Sequence, residues 1–236
     1  MLKVIALSDF HGQLINISEE ADLFLICGDI SPLYIQDNTP LMEEWLLGEF
    51  SEWVSGLPYR NSDSRCVLIG GNHDWSLEGI GKKRVDRMTS ACDNRLVYLD
   101  NTLYIHKDSG SGNTYRIFGC PYVRMGSRWA FSGGSPMIRK YYSMIPADLD
   151  ILMLHNAPDI LSGGVATGLN PTKDFGDRIL GWIVEFQKPR YVLFGHIHTS
   201  PVKELTEYND DGCKICNVSI LDEDYKAKYK PLVFQI

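Results

Sequence analysis

Residues 66–74 read CVLIGGNHD, and this stretch decides the fold. Its apolar residues form the short continuous run that is typical of a strand buried on both faces, and the run stops where a cluster of turn-forming and polar residues begins. The same change from apolar run to polar cluster follows Lys3–Leu7, Leu23–Cys27, Ile151–Leu154 and Tyr191–Phe194. The pattern predicts an α/β protein whose polar clusters follow the C-terminal ends of buried strands.

Helical spacing occurs between several of these strands. Apolar residues recur at helical intervals over 41–54 and over 174–186, and two further helices are predicted at 135–144 and 82–92. Thr39 is the predicted N-cap of the first helix, because a proline follows it at the first helical position.

Other segments predict antiparallel strands. The runs Leu103–His106 and Tyr115–Gly119 flank a polar turn, which is typical of a β-hairpin. After residue 198, strands are predicted at 202–208, 214–220 and 231–236. The sequence therefore predicts a layered α/β core with additional antiparallel strands in the middle and at the C-terminus.

Composition limits the class of protein. The chain has 236 residues of which 44% are apolar, enough for one sizeable core, and we expect residues 1–236 to form a single domain. The formal charge of −7 argues against a general membrane-surface binder and against an extended nucleic-acid surface, although a nucleotide-sized substrate is compatible with it.

The chain is expected to be cytoplasmic. Leu2–Leu7 is typical of a strand and contains a charged residue, so it does not predict a leader peptide, and no apolar run is long enough for a transmembrane helix. The 6 cysteines do not predict a disulfide framework in a chain of this length. Cys213 and Cys216 form a lone C-x-x-C whose spacing in a strand sends the two sulfurs to opposite faces.

The polar clusters at the strand ends contain metal ligands by residue type. Because ligands bind beyond the carboxyl ends of strands in α/β sheets, the clusters are expected to converge if the strands are neighbours. Carboxylate, imidazole and amide groups without thiolates suit Mn, Fe, Zn or similar ions. Each cluster taken alone could instead be a turn, a helix cap or a structural histidine. The recurrence of Asp, Asn and His at every strand end favours the metal site.

The order of these clusters resembles that of the calcineurin-like metallophosphoesterases. It comprises Asp9-Phe10-His11, Gly28-Asp29, Gly71-Asn72-His73-Asp74, His155 and Gly195-His196-Ile197-His198. The segments 119–122 and 217–219 are also similar to the class III phosphodiesterase branch of that superfamily. The resemblance implies β-sheets packed together with flanking helices, with an active site at the strand C-terminal ends.

The resemblance also implies a site with two divalent metal ions. One ion would be held by Asp9, His11 and His198, and the other by Asn72, His155 and His196. Asp29 would bridge the two, since a carboxylate has two oxygens to share and an imidazole does not. A metal-bridging hydroxide would attack phosphorus. His73 would protonate the leaving oxygen, and Asp74 would orient His73.

A small phosphoester is the expected substrate, with a nucleotide among the candidates. Two divalent ions leave the centre positive even after two aspartates and a hydroxide are counted, so a phosphoester anion is attracted. Tyr122, Arg124 and Trp129 could stack a base and hold a phosphate, or could pack over the hairpin. The Gly-rich segment at 160–171 lacks the lysine of a phosphate-binding P-loop, and we interpret it as a rim of the site.

The sequence leaves alternatives to a phosphodiesterase or phosphomonoesterase. A metal-containing binding protein without catalysis would be expected to lack a ligand or His73, and neither is missing. A nuclease acting on short nucleic acids is the other alternative, because the acidic balance disfavours only long polymers.

Overall fold

The computed structural model describes residues 1–126, 128–159, 176–199, 204–207 and 212–236. The strands are β1 (Lys3–Leu7), β2 (Leu23–Cys27), β3 (Arg65–Ile69), β4 (Leu96–Leu99), β5 (Thr102–Lys107), β6 (Thr114–Cys120), β7 (Val123–Arg124), β8 (Ser132–Gly133), β9 (Ile151–Leu154), β10 (Tyr191–Phe194), β11 (Thr206–Glu207), β12 (Lys214–Asn217) and β13 (Leu232–Gln235). The helices are α1 (Thr39–Leu47), α2 (Glu49–Ser55), α3 (Lys82–Ala91), α4 (Ser135–Tyr142) and α5 (Arg178–Gln187).

Two mixed sheets form the centre of the fold. The first has the order β13-β1-β2-β3-β4, in which β1 to β4 are parallel and β13 is antiparallel to β1. The second has the order β11-β12-β10-β9-β6-β5, in which the four inner strands are parallel and both edge strands are antiparallel. The strands before the polar clusters are therefore parallel neighbours, which is the condition for their convergence, but they belong to two sheets.

The two sheets pack face to face. Alternate side chains of each strand form the shared interior, with Leu25 and Val67 from the first sheet and Ile117, Met153 and Leu193 from the second in one buried cluster. The intervening side chains face outward into a second cluster that contains the buried residues of the helices. The result is two sheets flanked by helices, which confirms the predicted layered α/β fold.

The sheets are also joined at the edge where the polar clusters lie. Ser8, directly after β1, forms a parallel bridge with Ser219, which lies just beyond β12. The backbone N–H of Ile220 donates to the carbonyl of Ser8 at 3.1 Å. This link brings the C-terminal ends of strands from both sheets to one place.

The helix predicted over 41–54 is wrong in one respect, because two helices are present. The chain breaks at Gly48, whose φ of −103° and ψ of −104° lie outside the helical region, and its N–H donates to the Glu44 carbonyl. The predicted cap is also wrong by one residue. The Asn38 side chain, not that of Thr39, accepts the N–H of Leu41, since a carboxamide reaches this donor from the N-cap position.

The antiparallel predictions are confirmed for the hairpin and for β13, but β12 is parallel to β10 and antiparallel only to β11. β5 and β6 pair as the predicted hairpin, and β12 and β13 lie within the predicted C-terminal runs. All six cysteines are buried outside any disulfide bond, and Cys213 and Cys216 belong to different buried clusters, as the strand spacing predicts. No helix in the described ranges is long and apolar enough to span a membrane. The Gly-rich segment predicted as a rim lies outside the described residues.

Candidate metal centre

The loops after β1, β2, β3, β9 and β10 bring all the predicted metal ligands to one side of the molecule. These residues are Asp9, His11, Asp29, Asn72, His155, His196 and His198. The carboxylates are almost completely buried, with 0% of Asp9 and 2% of Asp29 exposed. Charged groups are rarely buried so fully unless they are paired or bind a metal.

Asp9, His11 and His198 form the first cluster. One ligand atom from each lies within 4.8 Å of the others. The Nε2 atom of His198 is 3.5 Å from Oδ1 of Asp9. The Asp9 carboxylate also accepts the backbone N–H of His196 at 3.0 Å, which ties the loop after β10 to the loop after β1.

Asp29, His155 and His196 form the second cluster, again with ligand atoms within 4.8 Å of one another. The Nε2 atom of His155 lies 3.3 Å from Oδ2 of Asp29 and 3.0 Å from Oδ1 of Asn72. The same Oδ2 atom is 3.9 Å from Nε2 of His11, which belongs to the first cluster. Asp29 therefore stands between the two clusters, where a bridging carboxylate is needed.

The hydrogen bonds around His155 fit a bound cation. Its Nδ1–H donates to the Cys27 carbonyl at 2.8 Å, so in the neutral ring Nε2 carries a lone pair. That lone pair faces two oxygens, one from Asn72 and one from Asp29, and neither is a donor in this orientation. A proton or a metal ion among the three atoms relieves their repulsion.

His11 and His198 add two further signs of fit. Both ring nitrogens of His11 are buried without a hydrogen-bond partner, which is costly for an imidazole unless an ion is bound. In His198, Nδ1–H donates to the Asp222 carbonyl at 2.8 Å, which leaves Nε2 for the centre. Metal-binding histidines are commonly oriented by a hydrogen bond of this kind. The set of carboxylates, imidazoles and one amide is able to bind first-row divalent ions.

The protonation states agree with ligation. Burial opposes ionisation of Asp9 and Asp29, but the surrounding imidazoles outweigh it and hold the pKa of both carboxyls well below the usual range. Burial lowers the pKa of His11 and of His196 to about 4. Both rings are therefore neutral at pH 7, with lone pairs available. His155 is the exception, because burial opposes its protonation but the Asp29 charge raises its pKa to about 9. A metal ion bound at its Nε2 would displace a proton there.

The backbone is strained where the ligands attach. Asp9, His11, Asp29 and His196 have positive φ values of 54°, 44°, 53° and 68°. This left-handed region is unfavourable for most residues with a side chain and is concentrated at functional sites. Gly71 is needed for a different reason, since a methyl group there would overlap the Asp29 carboxylate.

His73 lies beside the centre. Its backbone N–H donates to Oδ1 of Asp29 at 2.8 Å, and its ring centroid is 4.8 Å from that of His11 and 4.6 Å from that of Trp129. One ring nitrogen also lies within 4.8 Å of ligand atoms of His11 and Asp29. The ring is thus close enough to act on a substrate held at the centre. Measuring the metal content of a His73 variant distinguishes an acid, whose loss leaves both ions bound, from a ligand.

The predicted orienting contact from Asp74 to His73 is not observed, and we correct it. The Asp74 carboxylate is fully buried and accepts the backbone N–H groups of Gly71, Ile30 and Ser31, together with the Ser31 hydroxyl. It therefore joins the loop after β2 to the loop after β3. The His73 ring instead places Nδ1 2.6 Å from Oε1 of Gln36.

Replacing Asp74 with asparagine is expected to destabilise the fold by about 3 kcal/mol, because an NH₂ group would face buried N–H donors that now share a carboxylate. Ser31→Ala is the matched control. It removes only one donor to the same carboxylate, so we expect a loss of about 1 kcal/mol. Urea unfolding of the metal-free chain measures both. Equal stability of Asp74→Asn and the unmodified chain would contradict this structural role.

Two of the three predicted substrate-contacting residues lie at the cavity, and the third does not. Arg124 and Trp129 line a cavity of about 780 Å³ that opens onto the centre. Tyr122 does not line it, which corrects that prediction. Its ring is 8% exposed and stacks on Tyr141 with centroids 3.5 Å apart, so it packs into the core below the site. Tyr122 lies at the end of a buried strand, where the sequence does not show which way the ring turns.

Several contacts at the site were not predicted from the sequence. The Ser219 hydroxyl donates to Oδ2 of Asp9 at 2.7 Å, so the 217–219 segment does reach the centre. The Tyr225 ring lies edge-on to both His11 and His198. The Arg124 Nε–H donates to Oδ2 of Asp177 at 2.6 Å. Tyr225 and Asp177 lie in no recognised motif, and only the resemblance at 217–219 gave a signal.

Comparison with known proteins agrees with this geometry. The sequence model of the calcineurin-like phosphoesterases matches residues 2–200. Two Caenorhabditis elegans proteins, UPF0046 protein T07D4.2 and UPF0046 protein C25E10.12, are 24% and 23% identical to the chain. The matches cover 96% and 100% of this chain, but 58% and 81% of those proteins, so the chain spans little more than half of T07D4.2.

A solved structure shares the fold. The crystal structure of TT1561 of Thermus thermophilus superposes with a TM-score of 0.57 at 13% identity, over 96% of this chain and 97% of that one. The family match extends over most of the chain and includes every predicted metal ligand. The chain belongs to the calcineurin-like phosphoesterase family.

Proposed function

We propose that the chain is a phosphodiesterase that depends on two divalent metal ions. The observation that carries this proposal is the position of Asp29, whose Oδ2 atom lies between Nε2 of His11 and Nε2 of His155. Two ligand clusters that share one carboxylate suit a pair of ions that act on both sides of a phosphorus atom.

Seven residues would bind the metal ions, and His73 would act as a general acid. One ion would be held by Asp9, His11, Asp29 and His198, and the other by Asp29, Asn72, His155 and His196. The ions, when bound, supply Lewis-acid activation of the phosphoryl group and of the attacking water. His73, which lines the cavity beside these ligands, would donate a proton to the leaving oxygen.

The charge of the cavity wall favours a diester over a monoester. Arg124 is the only Lys or Arg among the described lining residues, and its charge is already paired with Asp177. Glu223 adds a further acidic group to the wall. A phosphomonoester dianion carries more negative charge into this environment than a diester monoanion, so the wall disfavours it.

Trp129 and Arg124 would contact the organic part of the substrate. Trp129 lies against the His73 ring, lines the same cavity and offers an aromatic face. A small phosphoester with a planar group, such as a nucleotide, fits these contacts. We also propose a cytoplasmic location, supported by six cysteines that form no disulfide bond, and no membrane or extended nucleic-acid partner.

Hydrolysis of bis-p-nitrophenyl phosphate and p-nitrophenyl phosphate in Mn²⁺ tests this proposal. We expect kcat/KM to be at least about 10-fold higher for the diester, and chelation of the metal to abolish both reactions. Asp177→Asn provides a sharp comparison, because asparagine can keep the helix cap at Ile179 and Leu180 while releasing the charge of Arg124. This variant should shift the preference towards the monoester.

Several outcomes would contradict the proposal. A monoester preference in the unmodified chain would overturn the diester assignment. Two bound metals without turnover on either ester, in Mn²⁺, Fe²⁺ or Zn²⁺, would favour a metal-containing binding protein. Cleavage of short single-stranded DNA on a gel, much faster than cleavage of the small diester, would favour a nuclease.

A further inference from the structure

We infer that Gln36 is a positioning residue for His73, holding its ring so that Nε2 faces the reacting phosphoester. The inference deepens the proposed function and rests on it, since it concerns the residue that would protonate the leaving oxygen. Neither a motif nor the family resemblance pointed to Gln36, which lies in a turn between Ser31 and α1.

The hydrogen bond is short and its direction follows from chemistry. Nδ1 of His73 and Oε1 of Gln36 are 2.6 Å apart. An amide oxygen can only accept, so Nδ1 must carry the proton. Nε2 is then the nitrogen left to face the cavity that His73 lines. A histidine that gives a proton to a substrate needs this orientation in both its neutral and its charged form.

The rest of His73 is held by contacts that do not fix its tautomer. Its backbone N–H is bound by Asp29, and Trp129 and His11 pack against the ring. Ring packing limits rotation but does not distinguish one nitrogen from the other. Among the described residues, Gln36 is the hydrogen-bond partner of the ring, so the choice of tautomer falls to its side chain.

Gln36 is itself held in place by the residues that precede it. Ser31, at the start of its segment, is bound by Asp74 through both its N–H and its hydroxyl. Ile35, the preceding residue, is buried in the core and its N–H donates to the Pro32 carbonyl at 3.1 Å. The turn is therefore rigid enough to transmit a fixed position to the amide.

A neutral amide suits this position better than a carboxylate. Asp9 and Asp29 already place two buried negative charges beside His73. A third would hold the proton more firmly on the ring and would repel the phosphoester. Gln36 supplies the acceptor without the charge, and the Asp74 carboxylate already accepts three backbone N–H groups.

The test replaces Gln36 with methionine, which has similar length and no side-chain acceptor of comparable strength, and with glutamate, which keeps one. Gln187→Met is the matched control, since Gln187 is a half-buried glutamine that donates to the Ile145 carbonyl away from the cavity.

The tautomer of His73 is measured by ¹⁵N NMR of the metal-free chain, and the His73→Ala variant identifies the signals of this ring. Metal content is measured by mass spectrometry.

We expect a protonated Nδ1 on His73 in the unmodified chain, in Gln36→Glu and in Gln187→Met, and a mixture of tautomers in Gln36→Met. With Mn²⁺ and aryl diesters, Gln36→Met should lose about 10- to 100-fold in kcat for phenol as leaving group, but less than about 3-fold for dinitrophenol, which needs little protonation. Metal content should not change. Gln36→Glu should recover part of the loss, because it restores the acceptor but adds a negative charge.

Two results would overturn the inference. One is an unchanged His73 tautomer in Gln36→Met, and the other is an equal loss for both leaving groups. Failure of the proposed function would look different, because the unmodified chain would then hydrolyse no aryl ester. The NMR spectra of the metal-free chain would still show whether Gln36 sets the tautomer.

Discussion

Replacement of Asp29 by asparagine is expected to lower the content of both metal ions together and to reduce kcat/KM on the diester by on the order of 10³-fold, equivalent to several kcal/mol of lost stabilisation. The reason lies in the position of its carboxylate. Oδ2 faces both His11 and His155, and Oδ1 accepts the His73 N–H. An amide carries no negative charge, so its oxygen at the Oδ2 position would bind cations less strongly on both sides, and its NH₂ group would then face the His73 N–H.

Metal content after gel filtration, measured by mass spectrometry beside the kinetics, checks this prediction. Asp22→Asn is the matched control, since Asp22 is another largely buried aspartate, whose carboxylate accepts the Lys3 N–H and pairs with Arg60. It precedes β2, whereas Asp29 follows that strand. It should keep both ions. Loss of a single ion in Asp29→Asn, with the other fully retained, would show that Asp29 does not bridge.

His73→Ala is expected to keep both ions and to lose about 10²- to 10⁴-fold in kcat, the range that general acid catalysis contributes. The side chain lies beside the ligands, but its ring is held by Gln36 outside both clusters. The loss should be largest for esters with poor leaving groups, because these depend most on a proton donor.

His106→Ala separates this effect from the general effect of removing a buried histidine. His106 is 2% exposed on β5 and its Nδ1 lies 3.3 Å from the Tyr104 hydroxyl, away from the cavity. We expect it to lose stability and to keep its turnover per folded molecule. If His73→Ala lost about half of its metal, the ring would be a ligand, as the grouping of its nitrogen with His11 and Asp29 allows.

The strands of the fold could be predicted closely from the sequence. A run such as Leu23–Cys27 is apolar throughout because it is buried on both faces, and its end is marked by a glycine and an aspartate. The break at Gly48 could not be predicted, because apolar residues keep helical spacing on both sides of it. β4 was missed although its four residues, Leu-Val-Tyr-Leu, form an apolar run; its two central residues are only partly buried.

In the candidate site, too, some residues could be predicted from the sequence and others could not. Residues such as Asp9 and His196 could be located because their positions depend on strand ends, which the sequence marks. The partners that orient them could not. Gln36 meets His73 across 37 positions of sequence, and Asp74 meets Ile30 across 44. Such pairs depend on how loops of different strands pack, and no local pattern in a single sequence records that.

The central claim is that two ions share Asp29, and electron paramagnetic resonance of the chain titrated with Mn²⁺ tests it most directly. Two bound ions bridged by one carboxylate are magnetically coupled, so the account predicts the multiline spectrum of a spin-coupled pair once two equivalents are bound. That spectrum should disappear in Asp29→Asn. A spectrum of isolated Mn²⁺ ions at every ratio of metal to protein would contradict the account.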